Sequence, residues 1–145
     1  MRLDPVEIIQ EIIEATPAIT SLLGTTGGFP NVAKDLAPDS MSMPYIVLRE
    51  EADTMAENNL LGNALVSADV YTEGKNGRRL AREIAGEIEK LFNEKHYGDD
   101  GENVGAGAKK SFIRQRYAPP QPDPSIQCRN IKIELHYLRN DLLLD

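Results

Sequence analysis

Three arginines cluster midway along the stretch VSADVYTEGKNGRRLAREIAGEIEKLF, residues 66–92: Arg78, Arg79 and Arg82 stand where an amphipathic helix should begin. Guanidinium groups hold carboxylates or phosphates through charge-assisted, often bidentate hydrogen bonds. They do nothing for the helix itself, because cations in a first turn oppose the macrodipole by about 0.3–1 kcal/mol. Three uses stay open: an acidic patch on a neighbouring subunit, nucleic-acid phosphate, or ordinary i,i+4 pairing such as Arg79 with Glu83. The acid-rich stretch holding Glu50, Glu51, Asp53 and Glu57 is the candidate subunit-contact counterpart.

Other chemistry finds less to work with. The chain has two histidines, His96 and His136, and a single cysteine, Cys128. Cys128 and His136 lie too far apart along one strand-like run to share a metal, and no CxxC or HExxH pattern is present. Ser111, Ser125 and Thr72 stand outside any G-x-S-x-G elbow. GTTGG and GAGAKK carry the glycines of a phosphate loop, but neither follows a strand and opens a helix. The carboxylate pairs Glu50–Glu51 and Asp99–Asp100 sit in polar segments that offer no burial to shift a pKa. These observations predict no enzyme, no metal and no cofactor.

The elements that must position the arginines read as follows. DPVE, residues 4–7, predicts a helix with Asp4 as N-cap, Pro5 at the first helical position and Glu7 completing a capping box. Val6, Ile9, Ile12 and Ile13 follow at helical spacing with Glu7, Glu11 and Glu14 on the other side, and Pro17 breaks the helix before a short turn up to Gly24. Residues 24–43 read as a long loop with a short strand near 31–34. PYIVLREE is a strand, 51–62 a connection, and Ala64–Thr72 a second strand that pairs antiparallel with the first. The helix over 77–93 has Asn76 as N-cap and a stripe of Leu80, Ala81, Ile84, Ala85, Ile88, Leu91 and Phe92. Residues 93–110 read as an exposed loop. SFIRQRYA alternates Phe112, Arg114 and Arg116 against Ile113, Gln115 and Tyr117; SIQCRNIKIELHYL alternates Ile131, Ile133, Leu135 and Tyr137 against Lys132, Glu134 and His136. PPQPDP between them forbids a tight hairpin and favours an extended arm. The expectation is one α+β domain over 1–145: a four-stranded, mainly antiparallel sheet with two helices on one face, in the order α-β-β-α-β-β.

Charge narrows the function. The net charge of −7 argues against a dedicated nucleic-acid binder. All of the excess acid lies in residues 1–61, with three Lys/Arg against ten Asp/Glu, whereas residues 62–145 carry thirteen of each. Such asymmetry suits either solubility or polar assembly. A single cysteine allows no intrachain disulfide, which fits a reducing compartment, and Cys128 is expected to be a buried, inert thiol. MRLDPVEIIQ lacks the pattern of a secretory signal and no apolar run approaches the ~20 residues of a membrane span, so a protein made in the cytoplasm, with no membrane partner, is expected.

Taken together, TPAITSLL, PYIVLRE, SADVYTEGKNGRRLAREIAGEIEKLF and RNIKIELHY, in that order with a long loop before the last, resemble the tail terminator (tail completion, tail-to-head joining) proteins of long-tailed bacteriophages and prophages. The likeness covers most of the chain and contains no catalytic motif. It implies a small α+β structural protein of the virion that forms a ring, usually a hexamer, at the head-proximal end of the tail tube. Such a ring ends tube polymerisation, meets the tail tube protein and a head-completion protein, and lets DNA pass without sequence-specific binding. The rival readings are another connector component, either head-closure or minor capsid, and a non-phage α+β ligand-binding domain with an apolar pocket.

Overall fold

The structure, a computed structural model, describes residues 4–55, 61–97 and 107–138. Helix α1 (Pro5–Glu14) begins where its cap demands: Asp4 Oδ1 accepts a hydrogen bond from the Val6 amide at 2.9 Å and Pro5 fills the first position. Glu7 does not close the capping box; it reaches out to Lys34 Nζ at 2.7 Å. Pro17 then starts the one-turn helix α2 (Pro17–Thr20).

GTTGGFP, expected as loop, folds into a hairpin of β1 (Thr25–Thr26) and β2 (Phe29–Pro30). Gly27 and Gly28 both have positive φ, +60° and +84°, the turn geometry that follows the twist of a two-residue hairpin and that glycine enters without strain. Asn31 is buried and clips the segment: it accepts from Thr26 Oγ1 at 2.7 Å and donates to the Ser42 carbonyl at 2.8 Å.

The main sheet takes the order β3-β4-β5-β8-β7-β6. Its long strands are β4 (Tyr45–Met55), β5 (Leu61–Glu73), β7 (Ala108–Tyr117) and β8 (Ile126–Leu138), with α3 (Gly77–Phe92) between β5 and β7. The short edges are β3 (Val32–Lys34), parallel to β4, and β6 (Lys95–His96), antiparallel to β7. The sheet is therefore six-stranded and mixed rather than four-stranded, and a third helix joins the two expected. The short strand expected near 31–34 is β3, whereas β6, inside the stretch 93–110 expected as loop, has two residues, too few for alternation to register in sequence. The stretch 51–62 is also strand at both ends, since β4 runs to Met55 and β5 starts at Leu61. The predicted arm at PPQPDP closes into a turn instead, where Asp123 Oδ1 accepts from the Ser125 amide at 2.9 Å.

Both long helices pack on one sheet face, α1 over the β3–β4–β5 side and α3 over β5, β8 and β7. The core is aliphatic: Ile9 and Ile13 from α1, Ile84 and Ile88 from α3, and Ile46, Leu48, Val66, Val70, Ile131, Ile133 and Leu135 from the sheet, with Phe92 the large exception. Asn76 stands at the N-cap of α3 but its side chain caps nothing. The start of α3 is held by Thr72 Oγ1, which donates to the Gly77 carbonyl at 2.6 Å, and its end by Ser111 Oγ, which donates to the Phe92 carbonyl at 2.7 Å.

Candidate functional site

Helix α3 buries Ala81, Ile84, Ala85, Ile88 and Phe92 against the sheet, and that stripe fixes where its arginines go. Arg78, Arg79 and Arg82 are all exposed. The ion pairs of α3 are Lys90–Glu87 at 3.4 Å and Arg116–Glu89 at 3.0 Å; Arg79 makes none with Glu83. Arg82 lines a groove of about 340 Å³ between α3 and strands β7 and β8, together with Glu89, Arg116, Arg129 and Ile131. Arg78 lines a neighbouring groove of about 270 Å³ that shares Arg129 and is bordered by Gln127 and Ala118. Arg79 lines neither.

Two of these residues escaped the sequence reading. Arg129 lies two residues before Ile131, so its parity already placed it on the helix-facing side of β8, opposite Val70. Arg116 was not legible. A register shift between Ile113 and Gln115 puts Gln115 opposite Lys132 and Arg116 opposite the buried Ile131, so Arg116 faces α3 while Arg114 stays on the outer face with Glu134. The strict alternation expected for SFIRQRYA thus fails at the bulge.

The acidic counterparts are placed elsewhere. Glu51 Oε1 meets Lys132 Nζ at 2.6 Å on the outer face of the sheet. Asp53 Oδ2 accepts a hydrogen bond from the Tyr137 hydroxyl at 2.6 Å. The Tyr137 ring lies across Gly62, where a Cβ would come within 2.5 Å of it. Glu50 is exposed and opposite Val66. Glu57 lies outside the described residues. None of the three arginines is paired with Glu50, Glu51 or Asp53 inside the chain.

On the outer face, Asp69 is 3% exposed. Arg49 Nη2 binds its Oδ2 at 2.6 Å, and Asn130 Nδ2 donates to its Oδ1 and to Ser67 Oγ, each at 2.5 Å. Asn130 Oδ1 is buried without a hydrogen-bond partner among the described residues. Burial, then the nearby Asp69 charge, pushes the Cys128 thiol up to about 11, and burial lifts its neighbour Tyr71 to about 12. Glu134 is held down at about 2 by the hydrogen bond from Arg114, with His136 at 2.6 Å adding to it against the cost of burial. These contacts close on themselves and serve the sheet. Among the described residues, no three His, Cys, Asp or Glu side chains converge as a metal would need, and no helix is long and apolar enough to cross a membrane.

The guanidinium groups of these grooves have the chemistry to hold carboxylates or phosphates by charge-assisted hydrogen bonds. The comparisons give the class and then the family. In fold, the protein is similar to a chain of the virion of a native gene transfer agent (GTA) particle, with a TM-score of 0.67, 14% identity, and coverage of 90% of this chain and 91% of that one. No curated protein sequence matches the chain. Residues 8–118 match the model of the family described as tail completion protein gp17, and the chain belongs to that family. It is a bacteriophage tail structural protein of a family whose members serve virion assembly rather than catalysis.

Proposed function

We propose that the protein forms a ring, a hexamer by the family resemblance, at the head-proximal end of the tail tube, where it ends tube polymerisation and joins tail to head. Its partners are then other copies of itself, the tail tube protein and a head-completion protein, with DNA passing through the ring unread; its place is the virion, reached from the host cytoplasm during assembly. Family membership over residues 8–118 is the observation that carries this reading. The small α+β fold, with both long helices on one face of the sheet, agrees with it. Unlike surfaces on the two sides of the molecule are what a heterologous, closing interface requires. Arg78, Arg79 and Arg82, and as their acidic counterparts Glu50, Glu51, Asp53 and Glu57, are proposed contact residues, although Glu50, Glu51 and Asp53 already hold intrachain partners.

The test is the mass of the purified protein by light scattering, alone and mixed with tail tubes, with electron microscopy of the tube ends. A ring-sized species, or a monomer that seats as a ring on tube ends and stops their growth, supports the reading. A monomer that ignores tubes but binds the portal side would move the protein to the head-closure class.

A further inference from the structure

The second acidic surface of the molecule is on α1. Asp4, Glu7, Glu11 and Glu14 follow one another at three- and four-residue steps, which stacks them on one helix face, and all four are exposed. Glu7 is tied to Lys34 of the edge strand β3, so this ridge looks outward over the β3 side of the sheet. Glu11 and Glu14 have no basic partner among the described residues. Partial burial first, and the neighbouring Glu11 charge second, raise the pKa of Glu14.

The arginine groove is its converse. Arg78, Arg82 and Arg129 have no acidic partner among the described residues, and the groove opens on the side of α3 that faces β7. In the strand order β3-β4-β5-β8-β7-β6 the ridge and the groove lie toward opposite ends of the sheet, so one chain cannot bring its own two surfaces together. Each side also carries an exposed apolar group, Leu36 (81% exposed) just beyond β3 and Tyr117 (42%) at the end of β7.

We propose that the two adjoining grooves that share Arg129, one lined by Arg82 and by Arg116 with its partner Glu89, the other by Arg78, receive the Glu11–Glu14 ridge of a second copy of this chain, head to tail. The inference rests on the ring reading and names its interface. Charge complementarity sets orientation and register, and the flanking Leu36 and Tyr117 supply apolar area at the contact.

Three variants test it, each checked for native fold by circular dichroism: Arg82→Glu with Arg129→Glu, Glu11→Arg with Glu14→Arg, and a chain carrying all four. Light-scattering mass against concentration should show association at least about tenfold weaker in each pair, since like charges then face each other, and recovery in the fourfold variant. Rings that form equally well in both pairs, or a fourfold variant that stays dissociated, would overturn the interface while leaving the ring itself standing. A wild-type chain that forms no ring either alone or on tail tubes would remove the ring reading and the interface with it. Binding of short duplex DNA that is lost in the arginine pair, with ring mass unchanged, would reassign the groove to phosphate and also overturn the proposal.

Discussion

At Glu134 the outer face of the sheet keeps a carboxylate between Arg114 and His136, with only 14% of its side chain exposed. Its pKa falls from 4.5 to about 2 in the folded protein, so the stabilisation is fully present above the unfolded value and is lost as pH falls through the folded one. Glu134→Gln should therefore lower the urea midpoint by a constant amount at neutral pH, and the gap to the wild type should close as pH drops from 4.5 toward 2. A gap that stays open across that window would mean that the ion pair is not its source. Cys128 has the opposite character: 5% exposed and with its thiol raised to about 11, it offers little thiolate. It should resist a thiol reagent in native buffer and react at once in denaturant; fast labelling of the folded protein would contradict the packing described.

Elements are joined by cross-strand contacts as much as by the core. The bulge between Glu50 and Ala52 turns Asp53 toward Ala64, which lets Tyr137 on β8 reach across Gly62 on β5 to a carboxylate on β4. Three strands are stapled by one side chain, and glycine is what leaves room for the ring. Gly62→Ala should cost about 1–3 kcal/mol in chemical denaturation, the usual cost of overpacking. That penalty should shrink in a Tyr137→Leu background, where the overlapping ring is gone. Equal penalties in both backgrounds would place the strain elsewhere. At the bulge between Ile113 and Gln115 in β7, the same mechanism moves Arg116 into the groove beside α3.

The whole molecule separates its charge. The described acids of residues 1–61 lie on α1 and its cap, in the turn after β3 and on β4, while the arginines of α3, β7 and β8 gather toward the other end of the sheet. If assembly uses these surfaces, the assembled fraction at fixed protein concentration should fall as salt rises from ~0.05 M to ~0.5 M, where screening shortens well below 10 Å. A mass independent of salt would point to an interface held by Leu36, Phe29 and Tyr117 alone, the three large apolar side chains that are exposed among the described residues.

What residues 1–145 determine by themselves is what repeats locally. The cap at Asp4, the stripe of α3, the apolar face Ala64–Val70 of β5 and the alternation from Ile131 to Tyr137 all follow from periods that neighbouring residues set, and each is present in the structure. The family resemblance was legible for the same reason, since it rests on the order of those segments. Tertiary structure decided the rest. The parallel edge strand β3 needs β4 to exist, the Gly27–Gly28 hairpin needs Asn31 buried beneath it, and the placement of Asp53 and Arg116 depends on bulges that appear only when two strands are laid side by side. A side chain's face is local in an unbroken strand, but one inserted residue reverses it, and the pairing partner determines where that residue falls.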